Sequence, residues 1–270
     1  MTVCIGALCE NGTSVVVAAD RMVTFGPPMN LQAEPQTLRK IFSAGSSCVL
    51  LFSGSVSDGE DLVANVLTKL SGKQNQQISQ IAESAKVSYA ALKAKRVEEN
   101  ILGPLLGTDF ATFRTLVGQA SSSQILQQVL GLIMQHNLQL DVLVAGTDAT
   151  GGHLFVATHP GQLLSVNMVG FAAIGSGALH AAIRLSLGQH TAASSLEEAV
   201  FNVHEAKKSS EVAPGVGKFT DMAIVRNGQI FALKPDLLAV LEEVHKEKPA
   251  LSSEEWGRIK KACDESTAST

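Results

Sequence analysis

The first twenty-one residues constrain the fold more than any other stretch of the chain. Two apolar runs rich in β-branched residues lie on either side of the dipeptide Asn11-Gly12. This dipeptide is typical of tight hairpins, because both of its residues tolerate a positive φ angle. We therefore predict an antiparallel hairpin with Thr2 at the end of one strand and Asp20 at the far end of the next, so that the two can meet in space.

Strand-like and helix-like segments follow one another in blocks along the rest of the chain. Strands are predicted from short apolar runs bounded by turn residues, over residues 40–43, 48–52, 140–145, 153–157, 163–166, 170–174, 219–225 and 229–233. Helices are predicted from apolar residues at helical spacing and from two Ser-x-x-Glu capping boxes that begin at Ser57 and Ser195. They cover residues 57–70, 77–100, 125–136, 178–187, 195–209 and 236–247.

Three stretches do not follow this pattern. Residues 22–37 contain several prolines, which cannot continue a central strand because proline has no N–H group to donate, and we predict a loop there. Residues 102–122 lack clear periodicity. Residues 252–270 are predicted to form a short helix and a frayed polar tail.

The order of these blocks predicts the fold class. Strands and helices come in runs without strict βαβ alternation, which favours antiparallel sheets with helices in outer layers. Several strands are continuously apolar, so both faces of the sheets are expected to be covered. No linker rich in proline, glycine and serine divides the chain. We predict one α+β domain with four layers, an αββα sandwich of two antiparallel sheets flanked by helices.

Composition limits the function classes. A net charge of −4 provides no attraction for nucleic acid or for an anionic membrane, and neither is expected as a partner. The 4 cysteines are not spaced like metal ligands, and we expect buried free thiols and neither a metal nor a cofactor. The chain begins without a secretory signal and has no apolar window long enough to span a bilayer, which favours a cytoplasmic protein.

The residue after the initiator methionine is a threonine, Thr2. Removal of Met1 would leave Thr2 with a free α-amine, whose ordinary pKa of about 8 makes it a base near neutral pH. A hydroxyl is inert at its free pKa and needs an adjacent base to act as a nucleophile. Thr2 would therefore combine both groups in one residue, although many intracellular proteins begin Met-Thr without any catalytic role.

Several motifs together resemble one known family, the proteasome β-type subunits and their bacterial relatives among the N-terminal-nucleophile (Ntn) hydrolases. In chain order they are Thr2 four residues before Gly6, Val17-Ala18-Ala19-Asp20-Arg21, Lys40-Ile41, Phe52-Ser53-Gly54-Ser55-Val56-Ser57-Asp58, Leu143-Val144-Ala145-Gly146-Thr147-Asp148 and Ile174-Gly175-Ser176-Gly177. Each string is weak alone, but their order and spacing together are fairly specific.

The resemblance implies a role for each matching residue. Thr2 is the expected nucleophile, and Lys40 matches the active-site lysine, whose ammonium favours the alkoxide. Asp20 is expected to hold Lys40 in place. Gly54 matches the glycine whose N–H group receives the oxyanion. Ser176 matches the serine that steadies the terminal amine.

Three further positions follow from the same resemblance. Glu211 is expected where the family has an aspartate that contacts Ser176, although Pro214 stands where a serine is typical. Thr24 matches a residue whose main chain pairs with an extended substrate. Phe52 is expected in the wall of the first specificity pocket, where its bulk would favour small or medium side chains.

The implied organisation and activity are those of a self-compartmentalised enzyme. We expect one proteasome-like Ntn-hydrolase domain over residues 1–250, with a helical insertion around 97–122, and a C-terminal tail over 251–270. The expected activity is threonine-type hydrolysis of unfolded polypeptides or peptides inside a homo-oligomeric ring, with an ATP-dependent unfoldase left open. Two alternatives stay open: a non-catalytic structural subunit of the same fold, and an Ntn amidohydrolase for a small molecule.

Overall fold

The computed structural model describes residues 2–25, 31–35, 37–72, 76–119, 123–246 and 253–267 of the 270-residue chain. Its strands are β1 (Cys4–Cys9), β2 (Ser14–Asp20), β3 (Val23–Phe25), β4 (Leu31–Ala33), β5 (Ile41–Ser43), β6 (Cys48–Ser53), β7 (Asp141–Asp148), β8 (Gly151–Thr158), β9 (Gln162–Ser165), β10 (Phe171–Ile174), β11 (Thr220–Arg226) and β12 (Gln229–Ala232). Its helices are α1 (Val56–Leu70), α2 (Ile78–Val97), α3 (Gly103–Leu106), α4 (Phe110–Gln119), α5 (Gln124–Gln135), α6 (Ala178–Leu187), α7 (Leu196–Ser210), α8 (Pro235–Lys246) and α9 (Ser253–Thr267). The blocks of strands and helices follow the predicted order.

Two five-stranded sheets form the centre of the molecule. The first sheet has the strand order β10-β1-β2-β11-β12, and the second has the order β5-β6-β7-β8-β9. A separate two-stranded sheet pairs β3 with β4. All of these neighbouring strands are antiparallel. The chain therefore has an α+β fold, as its block pattern predicts.

Three groups of buried apolar side chains hold the sheets and helices together. One group packs side chains of the first sheet against side chains of the second, among them Val17, Leu51 and Leu143. A second group joins the first sheet to α6, α7, α8 and α9, and a third joins the second sheet to α1 and α2. The central strands are thus buried on both faces, which accounts for their continuous apolar sequences.

The first hairpin brings the beginning of β1 to the end of β2. Cys4 pairs with Ala19, and the Asp20 N–H donates to the Val3 carbonyl at 3.2 Å, so Thr2 and Asp20 lie side by side as predicted. The connection is longer than a two-residue turn. Glu10 has a φ of 52° in addition to Asn11 at 58°, and a short 3₁₀ turn precedes β2.

Helix starts agree with the predicted capping boxes in one case and differ in the other. Ser195 caps α7, and the side chains of Ser195 and Glu198 bond reciprocally to the backbone. The predicted cap at Ser57 is wrong, because Ser55 caps α1 by accepting from the Asp58 N–H. Among the helices that the structure describes, none is both long and apolar enough to cross a lipid bilayer.

The segment after β2 is more ordered than predicted. Residues 22–37 were expected to form a loop, but β3 and β4 lie within them and pair through Thr24 and Gln32. Residues 26–30 of the predicted loop, which include Pro27 and Pro28, lie outside the described residues. The loop prediction is therefore wrong for the residues of these two short strands.

Residues 98–135 carry a small helical unit that continues from α2. A π-helical turn over Glu98–Leu102 leads from α2 into α3. Ile101, Leu102, Phe113 and Val129 bury their side chains in one separate apolar group. The helical insertion predicted around 97–122 therefore packs together with α5, which follows it, while residues 120–122 lie outside the described part of the chain.

Residues 253–267 form a longer helix than the sequence predicts. The 15-residue helix α9 buries Ile259 and Cys263 against the core of the first sheet and its helices. Trp256 packs edge-on against Phe201 of α7 with ring centroids 5.5 Å apart. The expected short helix with a frayed tail is wrong for residues 253–267, because an apolar stripe anchors this helix.

All four cysteines are free and buried, as predicted. Burial raises the pKa of the Cys4 thiol to about 12, and it raises the pKa of Cys48 further. The thiols are therefore protonated at neutral pH and behave as small apolar side chains.

His204 makes the stability of the helical layer dependent on pH. The residue lies on α7 and is 2% exposed, and burial together with the charge of Lys208 lowers its pKa from 6.5 to about 3. Because the unfolded chain binds a proton below about pH 6.5 while the folded chain does not, stability falls as the pH drops through this window.

We expect this linkage to cost up to about 2 kcal/mol between pH 7 and pH 5 in the wild-type protein. His204→Leu should lose less stability over the same interval, because leucine binds no proton in either state. Urea denaturation at the two pH values measures both losses. Equal losses in the two proteins would contradict the assignment.

Candidate active site

Three polar side chains meet at the open end of the first hairpin. Thr2 Oγ1 donates to Asp20 Oδ1 and accepts from Lys40 Nζ. Lys40 Nζ also donates to Asp20 Oδ1 at 3.0 Å. Exposure is 2% for Thr2, 0% for Asp20 and 3% for Lys40, so the three groups interact away from bulk water. One hydroxyl is thus held between an ammonium and a carboxylate.

The Asp20 carboxylate is fixed by backbone donors as well as by side chains. Oδ1 accepts from the Val3 N–H at 3.0 Å, and Oδ2 accepts from the Met22 N–H at 3.0 Å and the Gly217 N–H at 2.9 Å. A carboxylate with this many donors has a fixed orientation. Its Oδ1 atom therefore stays directed at Lys40 and at the hydroxyl.

The Lys40 ammonium uses all of its hydrogen atoms at this site. Besides its contacts with Thr2 and Asp20, Nζ donates to the Met22 carbonyl at 2.6 Å. An ammonium has three donors, and three acceptors therefore saturate it. Lys40 is the residue directly before β5, so this strand brings the lysine side chain to the site.

The backbone of Thr2 is held from the other side by the turn before α6. Ser176 Oγ donates to the Thr2 carbonyl at 3.3 Å, and the Gly177 N–H donates to the same oxygen at 3.3 Å. Ser176 Oγ also lies within 3.2 Å of the Pro214 carbonyl. Ser176, which is predicted to steady the α-amine of Thr2, thus contacts the carbonyl of Thr2 instead.

Glu211 contacts two lysines of α7 and not Ser176. Its Oε1 accepts from Lys207 Nζ at 2.6 Å and forms an ion pair with Lys208 Nζ at 2.9 Å. Glu211 is the C-terminal cap residue of α7, and its carboxylate returns along that helix. The expected contact with Ser176 is replaced by the Pro214 carbonyl, so the structure does not bring Glu211 to the hydroxyl site.

Gly54 occupies a backbone position that only glycine can hold. Its φ is +118°, and a Cβ atom added there would lie 2.0 Å from the Gln139 carbonyl oxygen. A left-handed φ and this close approach both exclude other side chains. The glycine therefore ends β6 in a sharp bend beside Thr2.

A narrow cleft opens onto the hydroxyl. Its lining residues are Thr2, Met22, Val23, Thr24, Lys40, Phe52, Gly54 and Val56. The free volume is about 10 Å³, close to the space that one water molecule needs. The cleft brings the predicted residues Thr24 and Phe52 together with the nucleophile candidate.

Phe52 forms a rigid side of this cleft. Its ring stacks on Phe42 with centroids 5.6 Å apart, and a Cβ atom added at Gly59 would lie 2.3 Å from it. The side chain is therefore held between the second sheet and α1. Thr24 lies on β3, which pairs through Gln32 with β4.

Several groups at the site were not predictable from residue types. The donors and acceptors from Met22, Gly177, Pro214 and Gly217 are backbone atoms, which any residue supplies. Only the glycine and proline pattern around residue 215 marks a turn there. Within the described part of the chain, no group of three or more His, Cys, Asp or Glu side chains is arranged to hold a metal ion.

Neither the models of known protein families nor the curated proteins gave a match to this chain.

We expect Gly54→Ala to destabilise the protein by about 2–5 kcal/mol, because it adds a strained φ to a collision with the Gln139 carbonyl. Gly72→Ala is the matched control, since Gly72 has a φ of +77° and a Cβ atom added there would have no atom of the described residues within 4 Å. The control should lose only about 1 kcal/mol, the cost of the strained φ. Urea denaturation compares the two variants, and equal losses would show that the close approach at Gly54 carries no cost.

Proposed function

We propose that Thr2 is the nucleophile of a threonine-type N-terminal-nucleophile peptidase. The observation that carries this proposal is the simultaneous contact of Thr2 Oγ1 with the Lys40 ammonium and the Asp20 carboxylate in a buried site. An adjacent ammonium favours the alkoxide form of a hydroxyl. The buried setting strengthens this effect, because water screens the charges less there.

In the proposed reaction, the α-amine of Thr2 becomes available when Met1 is removed. The amine accepts the hydroxyl proton as Oγ1 attacks the carbonyl carbon of the substrate, and the Gly54 N–H donates to the oxyanion. The amine then transfers this proton to the leaving amine of the substrate. A water molecule hydrolyses the resulting ester and regenerates Thr2.

The fold supports the same proposal. The three groups of buried apolar side chains lie between helices and the first sheet, between the two sheets, and between the second sheet and helices. This layering supports the proposal of a four-layer αββα sandwich like that of the Ntn hydrolases. Asp20, Lys40, Gly54 and Ser176 belong to the motifs that carry the resemblance to proteasome β-type subunits, and they lie next to Thr2. We therefore extend the proposal from the chemistry of the site to this fold family.

The proposed substrate is a peptide bond in an unfolded polypeptide. Among the described strands β3 pairs only with β4, so its other edge can accept an extended peptide through main-chain hydrogen bonds. Phe52 and the small volume of the cleft favour a small or medium side chain next to the cleaved bond.

We also propose that the chain forms a homo-oligomeric ring in the cytoplasm. One face of α6 exposes Leu179, Ile183 and Leu187 at 68%, 49% and 76%. Apolar side chains at this spacing form a continuous stripe, which is typical of an association surface. A monomeric mass by light scattering would contradict the ring.

A second candidate function is hydrolysis of a small amide by the same nucleophile. The 2% exposure of Thr2 and the narrow cleft favour a compact substrate. Hydrolysis of small amides without hydrolysis of peptides would select this candidate.

Intact mass and covalent labelling test the proposal directly. The purified protein should lack Met1, and a peptide boronate should inhibit it by bonding to Thr2 Oγ1. Thr2→Ala should neither hydrolyse a fluorogenic peptide nor bind the boronate tightly. Retention of Met1, or equal turnover by the two proteins, would refute the assignment of Thr2 as an N-terminal nucleophile.

A further inference from the structure

Lys207 is a fully buried lysine behind the candidate active site. It lies on α7 and has 0% exposure. Its Nζ donates to Glu211 Oε1 at 2.6 Å and to the Lys218 carbonyl at 2.7 Å. Burial of an ammonium is costly, so these two acceptors must both stay in place. The side chain therefore ties α7 to the segment that precedes β11.

The segment held by Lys207 also contacts the Asp20 carboxylate. Gly217 is the neighbour of Lys218, and its N–H donates to Asp20 Oδ2 at 2.9 Å. The Lys218 carbonyl and the Gly217 N–H belong to two adjacent residues of the backbone. A displacement of that carbonyl would therefore also displace the donor to Asp20.

The same run is held on a second side by Glu34. Its carboxylate accepts from the Lys218 N–H at 3.1 Å and from the Phe219 N–H at 2.7 Å. A Cβ atom added at Gly217 would lie 2.0 Å from Glu34 Oε1. The backbone at Gly217 is thus enclosed between a carboxylate from the β3–β4 side and an ammonium from α7.

We propose that Lys207 is a positioning residue for the Thr2 site, acting through residues 217–218 on the Asp20 carboxylate. Glu211 is its counter-charge in this arrangement. The proposal rests on the proposed function of Thr2. It gives Glu211 a different role from the predicted contact with Ser176.

A purely stabilising ion pair would be a poor explanation of these contacts. A buried ion pair often adds no more stability than well-packed apolar residues of similar volume, because desolvation offsets the attraction. Lys207 additionally bonds to a backbone carbonyl, which an apolar residue cannot do. The charge therefore has a directional use, which is to place the 217–218 backbone.

Lys207→Met tests the positioning role, because methionine keeps most of the length and removes the donor. We expect kcat for peptide hydrolysis to fall by about 10²-fold at nearly constant KM, since a small displacement of a catalytic group has an effect of this size. Glu211→Gln should lower kcat less, because Lys207 keeps its carbonyl acceptor. Glu211→Gln also serves as the second variant if Lys207→Met does not fold.

Glu205→Gln is the matched control on the same helix. Glu205 is 1% exposed and contacts His245 at 2.6 Å and Arg184 at 3.4 Å, away from the Thr2 site. This variant should lose stability without a comparable loss of kcat. A similar fall of kcat in the control and in Lys207→Met would reduce Lys207 to a general stabilising residue and overturn the proposal.

A double-mutant cycle adds a readout that a structural role would not change. If Lys207 acts through Asp20, Lys207→Met should change kcat by less than about twofold in an Asp20→Asn background, since coupled residues are not additive. Full additivity of the two substitutions would contradict the relay through Gly217.

Amide hydrogen exchange keeps the test independent of the proposed function. The peptide that contains Gly217 should exchange faster in Lys207→Met than in the wild type or in Glu205→Gln. Unchanged protection would overturn the positioning role even if Thr2 is the nucleophile. If exchange is faster in Lys207→Met but Thr2→Ala keeps full activity, the contact of Lys207 with the 217–218 backbone is supported and the proposed function is rejected.

Discussion

Thr2→Ala should lower kcat for peptide hydrolysis by about 10⁴-fold or more, because removal of a nucleophile eliminates the covalent pathway. Thr2→Ser should retain measurable turnover, since its hydroxyl can still lie between Lys40 and Asp20. The fold should survive in both variants. The measurement is turnover of a fluorogenic peptide by purified protein, with the processed N-terminus verified by mass.

Thr13→Ala is the control for the loss of a threonine hydroxyl. Thr13 lies in the connection of the first hairpin and donates to the Glu10 carbonyl at 2.8 Å. This variant should keep turnover within about twofold, because exposed substitutions away from a site have small effects. Turnover by Thr2→Ala at the level of this control would remove Thr2 from the mechanism.

Lys40→Met should have the second-largest effect, on both turnover and stability. The hydroxyl loses the adjacent positive charge, and we expect kcat to fall by about 10²–10³-fold, the usual loss for one electrostatic contact to a developing charge. Asp20 is left buried without its cationic partner. Breaking a buried pair in this way typically costs about 3–5 kcal/mol of stability.

Lys40→Arg should not restore turnover. A guanidinium is larger and planar, and the cleft has only about 10 Å³ of free volume. Lys86→Met is the stability control, because Lys86 forms an exposed pair with Glu83 at 2.9 Å and should cost no more than about 1 kcal/mol. Kinetics and urea denaturation measure the two effects. A normal kcat in Lys40→Met would show that the Lys40 ammonium takes no part in the reaction.

Much of the fold is predictable because its signals are local. Asn11-Gly12 and Asn227-Gly228 each mark a hairpin, and both asparagines have a positive φ in the structure. The hairpin register then places Thr2 beside Asp20 without further information. Antiparallel sheets follow from the block order of strands and helices.

Other features depend on contacts that sequence patterns do not contain. Ser55 and Ser57 both begin a plausible capping pattern, and the choice of Ser55 depends on where β6 ends, at Ser53 opposite Asp141. The strands β3 and β4 have only three residues each, and the residues of β4 have little strand preference, so their mutual pairing is what reveals them.

The site is predictable for its side chains and not for its backbone. Thr2, Asp20 and Lys40 belong to the motifs that carry the resemblance, and the structure brings them into contact. Glu211 lies in a segment with a loose pattern. Its spacing of four residues from Lys207 is a general signal for a helical ion pair, which does not indicate what that pair contacts.

The packing of α9 on α7 has a practical consequence for following these variants. Trp256 is the one tryptophan in the sequence, and its ring lies against Phe201 on the helix that also carries Lys207. Its intrinsic fluorescence therefore reports whether the C-terminal helix is docked. A red shift of the emission would signal detachment of that helix, and circular dichroism at the same time would show whether the sheets remain folded.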